Sequence, residues 1–232
     1  MWNCKNIKAQ ILSVMQEYPD LQVIEKNKQQ VRLSGKIHVY RSAQGFILNK
    51  YYKVTIVIPS NENSLPILID TENAISSSYV HKYSDGSLCL ETDTYIRIKY
   101  IDKFELVDWM KNIVEPYFFS YEFFTRFGKY PFGERDHYIL GVLQTYQEYF
   151  EATDILTTWK LMQYLSVKSY KGHHLCPCGS GEKIRNCHGH RILPFVNDCR
   201  KRDILKVDLE KIEEGLAIYD QARRNNEQTK RT

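Results

Sequence analysis

Apolar residues recur at helical spacing near the start of the chain. Over residues 4–18, Ile7, Ile11, Leu12 and Met15 share one face, and Tyr18-Pro19 ends the run. The period then changes to that of strands. Gln30–Val39 alternates apolar and polar residues, Tyr51–Pro59 is rich in β-branched and aromatic residues, and Leu65–Asp70 is short and apolar. Polar stretches at Ser42–Lys50 and Ser60–Ser64 separate them and read as turns. A helix followed by an antiparallel meander predicts an α+β layer structure.

Asp70–Ser87, with serines at 76, 77 and 78, reads as a loop. Helical periodicity returns through Val107, Met110, Ile113, Val114, Tyr117 and Tyr121, with Pro116 expected to kink or divide the helix. After a break at Gly128–Gly133, Leu140, Leu143, Tyr146 and Phe150 place a helix over His137–Glu151. Asp154 or Thr153 then caps another from Ile155 to about Val167. Near the end, Asp203 stands ready to cap a helix whose Leu205, Leu209, Ile212, Leu216 and Tyr219 recur at 4-3-4-3 spacing. Gly215 weakens that helix, and residues from about Arg223 are polar and expected to fray.

Composition is that of an ordinary soluble chain: 232 residues, 43% hydrophobic, 26% charged, with 17 tyrosines. That length accommodates one domain with a full core and an appendage. No apolar run approaches the ~20 residues of a membrane span. Met1-Trp2-Asn3-Cys4-Lys5 has no apolar leader core, so the expected compartment is the cytoplasm. There, six cysteines are expected to be free, metal-bound or catalytic rather than paired. The net charge of +4 belongs to residues 169–232, which hold 13 basic and 9 acidic residues, whereas residues 1–168 hold 19 of each. Acidic residues are interleaved through this basic tail, which favours a solvated helix over a nucleic-acid surface.

Two segments carry chemistry. In His81-Lys82-Tyr83-Ser84-Asp85-Gly86-Ser87-Leu88-Cys89-Leu90, a lone cysteine follows a Ser-Asp-Gly-Ser turn, with a histidine eight residues upstream. A working thiolate needs partial exposure and polar neighbours, which a turn can supply. Small buried cysteines are common, so the cysteine alone reads as structural. The second segment is Cys176-Pro177-Cys178-Gly179-Ser180-Gly181-Glu182-Lys183-Ile184-Arg185-Asn186-Cys187-His188. Its three thiols and one imidazole satisfy a tetrahedral Zn²⁺ with no open position, the pattern of a structural site. Gly179 and Gly181 let the chain turn tightly around an ion. A loop this small is expected to fold only when loaded, and His173, His174 and His190 beside it are read as solvated. Cys4 and Cys199 match no motif.

The His81–Glu91 segment resembles the active site of ubiquitin-conjugating enzymes, in which a His-Pro-Asn triplet leads through a short turn to the catalytic cysteine. Lys82 and Tyr83 stand where Pro and Asn would be, and the His-to-Cys spacing is about two residues shorter. The bacterial branch of the family, which lacks the Pro-Asn pair, is more similar. Gly128-Lys129-Tyr130-Pro131-Phe132-Gly133-Glu134-Arg135-Asp136-His137 resembles the Trp-Pro-x-Gly-Glu-x-x-His segment of bacterial relatives, with Tyr130 in place of Trp. Those relatives include proteins of short anti-phage operons of the cyclic-oligonucleotide signalling type (CBASS), which act on the C-terminus of a cGAS-like nucleotidyltransferase. The order of elements over roughly residues 4–151 is that of the ubiquitin-conjugating fold. The Cys176–His188 segment matches the SEC-C motif at every ligand position.

The resemblance implies a catalytic domain over 1–168, a SEC-C zinc module over 169–191 and a C-terminal helix over 192–232. It implies a Cys89 nucleophile that carries a protein C-terminus as a thioester and passes it to an amine. Tyr83, His81 or a backbone N–H near Gly86 would then serve the oxyanion in place of the missing Asn. His81 is equally a brace for the loop, Asp85 a turn residue, and His137 a helix cap or a site residue. With no nucleotide-binding glycine loop, the chain is expected to receive an activated substrate, to take over an existing thioester, or to work by another route. Two other classes stay open: a non-catalytic variant of the fold with a buried Cys89, and an adaptor recruiting partners through its zinc module. The terminal helix offers a stripe for packing on its own domain or for a second copy of the chain.

Overall fold

The computed structural model describes residues 7–61, 64–167 and 169–229, with 218–229 as backbone alone. Cys4 lies outside the described residues, as does the side chain of Tyr219. The chain forms two compact units, 1–134 and 135–232. This division lies ahead of the one expected at 168: the two helices after Gly133 belong with the Cys/His segment, not with the sheet.

In the first unit, α1 (Ile7–Glu17) precedes an antiparallel sheet of order β1-β2-β3-β4, made of Gln22–Lys26, Gln30–Ala43, Phe46–Pro59 and Ile67–Asp70. The α+β expectation is met with one more strand than the periodicity indicates. β1 is short and largely exposed, so it carries no apolar alternation. The polar stretch Ser42–Lys50 is not a long turn but the end of a 14-residue hairpin, running from Gln30↔Pro59 to Ala43↔Phe46. Gln44 and Gly45 turn it in two residues, with φ of 50° and 75°, the sign a tight hairpin requires at both positions. Asn49 and Lys50 are polar because they face solvent from a strand. At Gly35 the constraint is space: a Cβ there would sit 2.0 Å from the Asp20 carbonyl oxygen, so glycine lets the α1–β1 connection cross β2.

The inner sheet face buries Val31, Leu33, Ile37, Val39, Tyr52, Val54 and Ile56 against helical residues Trp109, Phe118 and Phe119. Tyr52 stacks on Phe118 at 4.0 Å while its hydroxyl donates to Glu122 at 2.7 Å, which keeps the one polar atom of a buried ring satisfied. After the loop comes α2 (Asp93–Lys99), too short to show a helical period in the sequence. Thr92 caps it by accepting from the Tyr95 amide at 3.2 Å.

The helix around Pro116 is divided rather than bent. α3 (Leu106–Trp109) passes into a π-turn over Met110–Val114 and then into α4 (Glu115–Phe127). The Glu115 amide bonds five residues back to Met110, and the next carbonyl in that pattern, Lys111, would face the missing N–H of Pro116. Arg41 on β2 takes the place of that N–H, donating to the Lys111 carbonyl at 2.8 Å.

The second unit packs α5 (Tyr138–Phe150), α6 (Ile155–Val167), α7 (Gly189–Val196) and α8 (Cys199–Thr229). Phe195 of α7 meets Tyr146 and Phe150 at 5.9 and 5.2 Å. Asp154 caps α6 through the Thr157 amide at 2.8 Å. α8 begins earlier than expected. Its cap is Asp198, which accepts from the Arg200 amide at 3.0 Å, and Asp203 lies inside the helix. Leu205, Leu209 and Ile212 are buried within this unit, and the Tyr146 hydroxyl donates to Asp208 at 2.9 Å. No helix of the described residues is long and apolar enough to cross a membrane.

Candidate active site and candidate metal centre

The segment after β4 folds into a small hairpin fastened to that strand. The Asp70 amide donates to Gly86 at 3.1 Å and the Leu88 amide to Leu68 at 2.9 Å, so residues 86–88 extend the sheet edge. Within the hairpin, the Tyr83 amide donates to Ser87 and the Cys89 amide to His81, each at 2.9 Å. Gly86, at φ 83°, closes the turn. The Asp85 carboxylate accepts from the Ser87 amide at 2.9 Å and its hydroxyl at 2.6 Å, bonds that hold it below the usual carboxylate range. Asp85 is thus spent as a turn residue. The hairpin places Cys89 directly across from His81.

Behind the hairpin lies an ion pair that no sequence pattern announces. Lys82 Nζ donates to Asp70 Oδ2 at 2.9 Å, Asn73 Oδ1 at 3.2 Å and the Ile75 carbonyl at 2.9 Å. Asp70 also accepts from the Ala74 and Ile75 amides at 3.1 and 2.9 Å. A buried charge is tolerated when its hydrogen-bonding capacity is filled, and here the three ammonium donors have three acceptors. Lys82 therefore ties the hairpin to the end of β4. Tyr117 of α4 adds a third tether, donating to the His81 carbonyl at 2.9 Å.

Cys89 is half-buried, with Leu88 beside it in the core. A ring nitrogen of His81 lies within 4.8 Å of its Sγ. Burial pushes the Cys89 thiol up; a hydrogen bond with Tyr83 pulls it down, and the charges of Glu91 and Asp93 add to the rise. Of the three oxyanion candidates, Tyr83 and His81 both lie beside the thiol. His81 Nε2 pairs with Glu134 Oε1 at 3.0 Å, and its ring edges meet Tyr79 at 5.3 Å and Tyr130 at 5.9 Å. Glu134 is a site residue that sequence reasoning does not single out; its one signal is its place in the Gly133-Glu134 motif. His137 occupies the N-cap of α5 without a side-chain capping bond.

The four expected metal-binding residues come together. Cys176, Cys178, Cys187 and His188 present donor atoms all within 4.8 Å of one another. With metal–sulfur bonds of ~2.3 Å and metal–nitrogen of ~2.0 Å, tetrahedral edges are ~3.8 Å between sulfurs and ~3.5 Å between sulfur and nitrogen. The observed Cys178–Cys187 separation is 3.6 Å, and His188 Nδ1 lies 3.4 Å from Cys176 Sγ and 3.1 Å from Cys187 Sγ. The donor set fits a metal ion. Burial lowers the His188 imidazole, which favours the neutral form a ligand needs.

The loop's backbone explains the spacing. The Cys176 amide donates to Glu182 at 2.8 Å, and Gly179 and Gly181 adopt φ of 86° and 79°. The Cys187 amide closes a short turn on Ile184 at 3.0 Å. Ile184 and Ile192 are fully buried in the second unit, so this loop is not a free-standing appendage. His173, His174 and His190 are not in the four-residue group. Ser180 reaches Cys187 Sγ at 3.6 Å.

Compared with protein-family models, curated proteins and solved structures, the chain shows no match.

Proposed function

We propose that the protein is a ubiquitin-conjugating-like acyltransferase that carries a protein C-terminus as a thioester on Cys89 and transfers it to an amine. One observation carries the reading: Cys89 is half-buried on a tethered hairpin, with Tyr83 beside it and a His81 nitrogen within 4.8 Å of its Sγ. A thiol kept only as core filler has no use for a hydroxyl and an imidazole beside it. The protein C-terminus, rather than a small acyl group, comes from the resemblance to bacterial ubiquitin-conjugating relatives. So does the substrate, a cGAS-like nucleotidyltransferase in antiviral defence.

In this reading Cys176, Cys178, Cys187 and His188 hold a structural Zn²⁺ in a SEC-C module. All four positions are filled by protein, so the ion orders the loop and is not a Lewis acid for the reaction. A second reading, a non-catalytic adaptor recruiting partners through that module, draws on the raised Cys89 thiol, which is less ionised at neutral pH than an ordinary cysteine.

A Cys89→Lys variant co-expressed with the neighbouring genes separates the two. The acyltransferase reading expects a stable, reductant-resistant adduct on the side-chain amine introduced at position 89. Its absence, with partner capture retained and then lost in Cys176→Ser, establishes the adaptor.

A further inference from the structure

The His81 ring is held by three neighbours. Its Nε2 pairs with Glu134 Oε1 at 3.0 Å, and its ring makes T-shaped contacts with Tyr79 and Tyr130 at centroid distances of 5.3 and 5.9 Å. Tyr130 itself stacks on Phe124 of α4 at 4.6 Å, which fixes its position against that helix. The hydroxyls of Tyr79 and Tyr130 and the carboxylate of Glu134 are electrostatic neighbours. The imidazole therefore meets one carboxylate, with two phenol rings packed beside it. A hairpin brace would need none of this, since the His81 backbone is already fixed by the Cys89 amide and the Tyr117 hydroxyl.

With Nε2 engaged by a carboxylate, the ring is oriented, its proton is placed on Nε2, and a positive charge on it is stabilised. Resting on the reading of Cys89 as the nucleophile, we propose that His81 is the base that takes the proton of the acceptor amine when a Cys89 thioester is discharged. Glu134 is the positioning residue that orients His81.

A lysine acceptor is an ammonium at neutral pH, and it becomes nucleophilic when it passes one proton to the ring of His81, whose charge is matched by Glu134, and from there to solvent. Its nitrogen attacks the thioester carbonyl carbon, forming the C–N bond. The C–S bond breaks and its electron pair leaves on Cys89 Sγ. The proton that the nitrogen sheds as the amide forms goes to the departing thiolate or to solvent.

The test uses the full-length protein and a small probe. 4-Nitrophenyl acetate acetylates the Cys89 thiol, and loss of the acetyl group to free lysine or to hydroxylamine is followed by intact mass. Hydroxylamine is already neutral at pH 7 and needs no base to become nucleophilic. Discharge to lysine is expected to fall about 100-fold in His81→Gln and about 10-fold in Glu134→Gln, with Glu134→Asp recovering part of the loss. Discharge to hydroxylamine, and alkylation of Cys89 by iodoacetamide, should stay within about threefold of wild type in Glu134→Gln. Equal slowing with both acceptors, or loss of alkylation as well, would make Glu134 a fold strut and overturn the proposal. So would lysine discharge indifferent to both substitutions. Failure of wild-type Cys89 to be acetylated at all removes the nucleophile and with it the proposed function, a different result from acetylation followed by indifferent discharge.

Discussion

Lys82 and Asp70 form an ion pair at 2.9 Å whose side chains are only 4% and 1% exposed. It sits immediately beside His81 and behind the hairpin that carries Cys89. Removing one partner of such a pair strands the other's charge, at a cost of about 3–5 kcal/mol. Lys82→Met should therefore lower the urea midpoint strongly. Asp70→Asn should cost less, because Asn keeps one acceptor for the Ala74 and Ile75 amides. The double variant is expected to be more stable than the sum of the singles implies, and additivity in the cycle would deny the coupling.

Cys89 should titrate above an ordinary cysteine. Burial raises its thiol and Tyr83 partly offsets this. Only the thiolate alkylates, so the rate should climb with a midpoint above the ~8.5 of an ordinary cysteine. Tyr83→Phe removes the offset and should move the midpoint higher still, slowing alkylation at pH 7. A downward shift would mean that the hydroxyl does not favour the thiolate.

The metal centre predicts one equivalent of Zn²⁺ per chain, lost in Cys178→Ser. Because Ile184 is packed in the second unit, removing the ion with a chelator should lower the stability of that unit rather than merely loosen a tail. Ser180 reaches a ligand sulfur, so Ser180→Ala is expected to weaken zinc about 10- to 100-fold, read by chelator competition.

Two glycines separate by what a methyl group would strike. At Gly35 the obstacle is the Asp20 backbone, 2.0 Å away, which cannot step aside. Gly35→Ala should cost about 3 kcal/mol or more. At Gly215 it is the tip of Ile139, 2.3 Å away, which can rotate for about 0.5–1.5 kcal/mol. The helix gains about 1 kcal/mol from Ala, so Gly215→Ala should be close to neutral in the same denaturation assay. Gly215→Leu should not be.

Most long elements are legible in the sequence because their periodicity is strong: α1, the β2–β3 pair, α5 and α6. What escapes has a physical reason in each instance. β1 buries little, so it writes no pattern. The Gln44-Gly45 turn lacks the Asn-Gly signature, so polar outward residues near it pass for a loop. The division at Pro116 depends on Arg41, distant in the chain and adjacent only after folding. The Cys176–His188 set is readable in full because its four ligands are close in sequence and spaced by the ion's own geometry. At the hairpin, Cys89 and His81 are readable as a pair. Lys82–Asp70 and Glu134 are not, since tertiary contacts alone give them their roles.

The central claim is that Cys89 carries an acyl group. It is tested most directly by intact mass under non-reducing conditions, after co-expression with the neighbouring genes, for wild type and Cys89→Ala. Wild type is expected to carry a reducible adduct, absent from Cys89→Ala, whose mass identifies the donor protein. An unmodified wild type whose Cys89 also fails to react with iodoacetamide in the folded protein would contradict it.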